Sequence, residues 1–315
     1  MKLVVIIPCL NEEKTLPQVL NSIPKKIKGI RKIEKVVIDD GSTDDTLKVA
    51  KKLKVRHFVI HARNQGLAKS FADGLDMALS LGADIIVNTD GDNQYPQQDI
   101  PRLIEPILRN KADIVIADRQ TIKVKHFSLG KKLLQKFGTF AVNFLAGSHV
   151  GDAVSGFRAY SKEAAMHINI FTDYTYTIET LIQASKKKMR IESIKIKTNP
   201  KTRKSRLITG LFSYLKISGT TTLRLFAIYE PLKVFTYVSF IVFVPGSILV
   251  VRASYFYTVG VGGEHLPSII VGSFLVLVSF QIFLIGLIAD LVSINRKKLE
   301  NILYRQKKLE FNKKT

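Results

Sequence analysis

The chain has 315 residues, a formal net charge of +22 and one cysteine, Cys9. That length suits about two domains with ample material for a buried core, and a single cysteine excludes an intramolecular disulfide framework. So large a positive charge calls for an anionic partner: nucleic acid, an acidic lipid surface or a phosphorylated substrate.

In chain order, "MKLVVIIPCLNEE" comes first. Its apolar run is too short for a signal peptide, Pro8 interrupts it, and acids stand where a small-residue cleavage site would be. It reads as a first strand. "KVVIDD", "HFVIHA", "ADIIVNTD" and "ADIVIAD" repeat the short continuous apolar run of a buried parallel strand. Helical stretches separate them, among them "STDDTLKVAKKL", "GLAKSFADGLDMALSLG" and "DIPRLIEPILRN". Strand alternating with helix predicts an α/β fold with a mostly parallel sheet. Ligands of such sheets bind beyond the carboxyl ends of the strands. Asn11 and Glu12 follow the first strand, Asp39 and Asp40 the second, Asn64 the third, and Asp90 and Asp92 the fourth.

Each piece has a plain explanation when taken alone. A helix start accounts for Ser42 through Asp45, although it leaves Asp39 and Asp40 unexplained. Asp-Gly is a common turn, and an isolated D-x-D occurs by chance in many chains. The conjunction is more specific. Asp90 and Asp92 can hold a hard cation, Mg²⁺ or Mn²⁺, with Gln94 adding a neutral oxygen and room left for phosphates and water. Zinc is disfavoured because no His/Cys cluster accompanies the acids. Neither glycine-rich phosphate-binding motif is present.

Toward the C-terminus the composition changes. "NPKTRKSRL" is basic, and residues 207–232 mix apolar and basic residues, as interfacial amphipathic helices do. Val234 to Val251 carries no charge, and Leu266 to Val292 carries none before Asp290. Each run is near the roughly 20 residues that span a bilayer core. Pro245 and Gly246 inside the first are tolerated in membrane helices. Basic flanks and a connection bearing only Arg252 and Glu264 put both ends in the cytoplasm by the positive-inside rule. The basic tail is expected either on an anionic leaflet or in solvent.

The set "VVIIPCLNEEKTL", "VVIDDGSTDDT", "NQGLAKSFADG", "DGDNQYPQQDIPRLI" and "DAVSGFRAY" resembles family 2 glycosyltransferases of the GT-A fold. Within that family it is similar to the polyprenyl-phosphate branch typified by dolichol-phosphate mannose synthases. The resemblance covers roughly residues 1 to 210. It implies that Pro8, Asn11 and Glu12 line the nucleotide-sugar site, with Asp39 and Asp40 near base and ribose. It implies metal binding by Asp90, Asp92 and Gln94, with Asp92 catalytic. Arg119 matches a basic residue near the acceptor phosphate, and Lys131 stands where many relatives carry an arginine for the same task. Arg203 or Arg206 would contact the diphosphate, in a segment lacking the family's glycine.

No carboxylate base is evident near "TYTIETL", around Glu179. A phosphate monoester acceptor needs none, since its second pKa is about 6.

The expectation is a GT-A catalytic domain over 1–206, interfacial helices over 207–232, a two-helix transmembrane hairpin over 233–292 and a cytoplasmic tail over 293–315. Such a protein would be a multi-pass cell-membrane enzyme with its catalytic domain and tail in the cytoplasm. It would carry a sugar, from GDP-mannose or a UDP-sugar, to a polyprenyl or dolichyl phosphate with inversion. Its partners would be the nucleotide sugar, the lipid phosphate and an anionic membrane surface, with homo-oligomers compatible and nucleic acid not expected, since no binding motif is present. The alternatives are a transferase acting on a sugar or lipid-linked glycan, and a non-catalytic membrane scaffold that kept a nucleotide-sugar fold. Metal-dependent turnover separates the last from the rest.

Overall fold

The computed structural model describes residues 1–120, 150–171, 176–200, 226–260 and 262–312, together with positions 143, 147, 220 and 224. The chain divides into two compact units, residues Met1–Gly219 with Leu303–Thr315, and residues Thr220–Ile302.

The first unit is built on a seven-stranded sheet in the order β3-β2-β1-β4-β6-β5-β7. The strands are β1 (Lys2–Cys9), β2 (Lys32–Asp39), β3 (His57–Ile60), β4 (Ile85–Asn88), β5 (Ile114–Asp118), β6 (Arg158–Ser161) and β7 (Ile191–Lys195). β1 pairs in parallel with β2 and β4, β2 with β3, and β5 with β7. Only β6 runs against its neighbours β4 and β5. The continuous apolar reading of β1 follows from its place: from Leu3 to Ile7 every side chain is fully buried, as in a strand covered on both faces.

Helices α1 (Leu16–Ser22), α2 (Thr46–Lys52), α3 (Leu67–Ser80), α4 (Ile100–Leu108), α5 (Lys162–His167) and α6 (Tyr176–Lys186) accompany the sheet. α3 buries Ala68, Phe71, Leu75, Ala78 and Leu79, a helical stripe set by the 3.6-residue period. Phe71 stacks on Tyr176 of α6 at 4.0 Å between ring centres. That contact contributes about 0.5–1.5 kcal/mol beyond the area it buries.

At the amino end of the sheet, Glu34 lies 2.6 Å from both Lys2 and Lys32. Burial raises its carboxyl pKa, but hydrogen bonds and charge from the two lysines outweigh that and bring it down to about 2 from 4.5. A depressed carboxyl stabilises the fold fully above its unfolded pKa and progressively less as pH falls through the folded one. The melting difference between the wild-type protein and Glu34→Gln is therefore expected to shrink between about pH 4.5 and about pH 2; a difference constant over that window would refute the pairing.

The second unit holds most of two long helices, α7 (Pro231–Thr258) and α8 (Leu266–Asn312), of 28 and 47 residues. Both are long and apolar enough to cross a membrane. Phe240, Ile241, Val251, Phe274, Ile288 and Leu291 are all exposed, whereas a core helix of a soluble protein would bury such residues. The helices meet where Ser239 donates to the Ser279 carbonyl (2.8 Å) and where Gly246 lies against the Gly272 carbonyl. Small residues of this kind let membrane helices approach closely. The segment expected as interfacial helices falls largely outside the described residues, which include only positions 220, 224 and 226–232 of it, helical at 226–229.

The last turns of α8, from Leu303, group with the first unit. Tyr304 stacks on His167 of α5 at 3.8 Å and donates its hydroxyl to Glu163 (2.6 Å), while Lys307 pairs with Asp76 of α3 (3.0 Å).

Candidate active site

β1, β2 and β4 are adjacent and parallel, so their carboxyl ends open on the same side of the sheet. A cavity of about 190 Å³ lies there, lined by Pro8, Glu12, Asp40, Asn64, Asp90 and Asp92 with residues between them. Beside Asp40, Gly41 has φ +74°, and a Cβ there would sit 2.6 Å from the Arg63 backbone. Only glycine takes that turn and admits the loop after β3 so closely. The loop then caps Asp40: the amides of Gln65 and Gly66 donate to its carboxylate at 2.8 and 2.9 Å.

Asn11 and Asp39 stand outside the cavity wall. The Asn11 side-chain oxygen accepts from the Thr43 amide (2.7 Å), and Asp39 accepts from the Ser42 amide (3.1 Å). Both shape the loop between β2 and α2. Glu12 is buried within the wall and accepts from the Thr15 hydroxyl (2.7 Å).

Asp92 accepts from the Gln94 backbone amide (3.1 Å) and from its side-chain Nε2 (2.7 Å). Gln94 thus turns its NH₂ toward Asp92 and orients that carboxylate. Behind Asp90, a Cβ on Gly156 would lie 2.8 Å from the Tyr176 hydroxyl and 3.3 Å from Asp90 Oδ1, so any side chain at 156 would displace one or the other. The Gly156 amide donates to Tyr95 Oη (3.0 Å), and Asn88 donates to both the Gly156 carbonyl and Tyr176 Oη (2.8 Å each). Burial pushes the Tyr95 phenol up to about 12. Burial, with Glu12 and Asp39 nearby, also raises the Cys9 thiol well above its usual value. Both groups stay protonated at neutral pH, so neither acts as nucleophile or base.

Among the described residues no three His, Cys, Asp or Glu side chains converge into a metal cage. Two carboxylates on one cavity wall, with an amide beside them, still fit a hard divalent ion that completes its shell with phosphate and water.

Arg119 follows β5 and donates twice to Asp152, Nε to Oδ2 at 2.6 Å and Nη2 to Oδ1 at 3.0 Å. Burial alone would lower its pKa, but the Asp152 carboxylate overrides that and raises it. It stays a cation, held in one orientation. Lys131, Arg203 and Arg206 lie outside the described residues. Glu179 is buried and accepts from the Phe171 amide (3.1 Å), which suits an orienting role on α6.

Sequence reasoning did not single out Arg158. It is fully buried, and its guanidinium donates to the carbonyls of Ser155, Thr177 and Ala153 and to the Thr180 hydroxyl, at 2.7–2.8 Å. It pins the loop carrying Asp152 and Gly156 to α6. The available signal was a charged residue inside the apolar "GFRAY" run.

The family described as Glycosyl transferase family 2 matches residues 4–168. A UDP-N-acetylglucosamine–dolichyl-phosphate N-acetylglucosaminyltransferase of Methanococcus voltae is 31% identical over 217 residues, covering 61% of this chain and 84% of that protein. A dolichol-phosphate mannosyltransferase of Pyrococcus furiosus is 33% identical over 178 residues, 54% of this chain and 49% of its own length. Among solved structures, glucosyl-3-phosphoglycerate synthase from Mycobacterium tuberculosis with Mn²⁺, UDP and glucosyl-3-phosphoglycerate shares the fold, with a TM-score of 0.52 at 21% identity over 70% of this chain and 77% of that one.

Proposed function

The chain belongs to glycosyl transferase family 2, and from that premise we propose that it transfers a sugar from a nucleotide diphosphate to a polyprenyl phosphate at a membrane. The observation that carries this reading is the placing of Asp40, Asp90 and Asp92 on one cavity wall at the strand ends. Relatives named for dolichyl-phosphate acceptors and two long, exposed apolar helices support the lipid acceptor. The basic flanks support a cytoplasmic catalytic unit and tail, with the connection between α7 and α8 outside.

In this reading Glu12 and Asp40 bind and orient the nucleotide, with Pro8 packing on it and Asn11 and Asp39 shaping the loop beside it. A Mg²⁺ or Mn²⁺ ion at Asp90 and Asp92 would supply charge neutralisation for the departing diphosphate. Gln94 aims Asp92, and Gly156 leaves Asp90 its space. Arg119, with Lys131, receives the acceptor phosphate, and Arg203 or Arg206 the donor diphosphate. A phosphate oxygen of the acceptor attacks the anomeric carbon from the face opposite the leaving group. The carbon–oxygen bond to the diphosphate breaks as the new one forms, and the configuration inverts. No protein base is required, because the acceptor oxygen is already anionic; positioning supplies most of the rate.

The deciding experiment uses the purified full chain in detergent with Mg²⁺ or Mn²⁺, a short polyprenyl phosphate and a panel of UDP- and GDP-sugars, with and without chelator. Chelator-sensitive formation of a lipid-phospho-sugar is expected. Transfer only to a sugar or glycan acceptor would overturn the lipid-phosphate assignment.

A further inference from the structure

We propose that His61 is a positioning residue for the donor nucleotide: its imidazole holds the Asp40 carboxylate at the cavity wall and is itself braced by Asp73 of α3. This rests on the cavity at the strand ends being the donor site.

His61 directly follows β3, and its amide donates to the Asp39 carbonyl (2.9 Å), so its backbone is tied to the end of β2. The ring is almost enclosed. Nδ1 lies 2.7 Å from Asp40 Oδ1 and Nε2 lies 3.0 Å from Asp73 Oδ2. Lys69 fixes the other Asp73 oxygen at 2.6 Å. The ring is therefore held at both nitrogens and has one orientation. The brace continues along α3, whose first residues, Leu67 and Ser70, line the same cavity.

The consequence appears at Asp40. A carboxylate offers about four acceptor positions. Oδ1 uses two, on His61 and the Gln65 amide, and Oδ2 uses one, on the Gly66 amide. One acceptor position on Oδ2 remains for a ligand N–H or O–H. The two amide donors also offset charge that would otherwise repel an anionic diphosphate. Without the imidazole, Asp40 could rotate about its side-chain bonds, and the 64–66 loop that it ties would loosen with it.

The two ring nitrogens allow a test that separates this role from simple stabilisation. Asparagine places an amide N–H near the Nδ1 position and can keep the bond to Asp40; glutamine reaches toward the Nε2 position and can keep the bond to Asp73. Each variant loses one arm, so a purely structural role predicts similar losses of melting midpoint and no difference in nucleotide binding. Calorimetric binding of UDP and of GDP, each with Mn²⁺, would be measured on the full chain in detergent.

His61→Ala and His61→Gln are expected to weaken binding on the order of tenfold, the usual effect of a lost hydrogen bond to a charged group. His61→Asn should recover most of that loss. In turnover the effect should fall on donor KM, with kcat at saturating donor and acceptor KM little changed. Equal weakening by His61→Asn and His61→Gln, or undiminished binding by His61→Ala, overturns the proposal alone. Failure of the wild-type protein to bind either nucleotide overturns the donor-site reading and this inference together. Should the alanine variant not fold, the asparagine and glutamine pair still decides.

Discussion

Asp92→Asn is expected to abolish sugar transfer while leaving the fold intact. Asp92 is half-buried on the cavity wall, and it accepts from both nitrogens of Gln94. An asparagine oxygen keeps one of those bonds, so little packing is lost. What disappears is one of the two negative charges that the Asp90–Asp92 pair would offer a divalent ion. Metal assistance is worth several kcal/mol of charge stabilisation, and each 1.36 kcal/mol is tenfold in rate. A fall of about a thousandfold or more in kcat/KM follows. The melting midpoint should stay level or rise, because Asp90 loses a like-charged neighbour. Steady-state transfer and a thermal melt in the same detergent check both halves. Full activity with an unchanged metal requirement would sink the assignment of metal to this pair.

Arg158→Met should act in the opposite way, on the fold first. The substitution removes a donor from three buried carbonyls and a hydroxyl at once. Unsatisfied buried groups cost about 1–3 kcal/mol each. Part of this is offset because the guanidinium no longer has to be desolvated. A net loss of about 3 kcal/mol or more remains, or a fall of about 6–12 °C in melting midpoint for a unit of this size. Activity should fall too, since the freed loop carries Asp152, which orients Arg119, and Gly156, which abuts Asp90. Arg158→Lys should rescue little, because an ammonium cannot reach the same four acceptors in one plane. A midpoint within about 1 °C of wild type would show that solvent or neighbouring groups replace the arginine.

Much of the catalytic unit is legible in the chain because its signals are local. Five apolar runs alternate with helical stretches, and all five are strands. The two sheet strands that sequence reading passed over, β6 and β7, are short, and β7 lacks a continuous apolar run: "IESIK" is at most half-buried along its length. Antiparallel β6 pairs with residues some 70 positions earlier, and no local pattern announces such a partner. Asp40, Asp90 and Asp92 could be placed at strand ends from sequence because Asp40 directly follows β2, and Asp90 and Asp92 lie within four residues of the end of β4.

Amino-acid order by itself determined the α/β alternation, the acidic residues at the strand ends and two apolar stretches long enough for a bilayer, because all three depend on neighbours within a turn or a strand. Tertiary structure alone decided which of those acids share a cavity, that Gln94 orients Asp92, that Asp152 holds Arg119 from 33 residues away, and that a buried arginine and a histidine lock the loops around them. The Arg119–Asp152, Arg158–Thr177 and His61–Asp40 bonds join residues 33, 19 and 21 positions apart in a low-dielectric setting where an unmet polar group is costly, and only the folded chain brings those partners together.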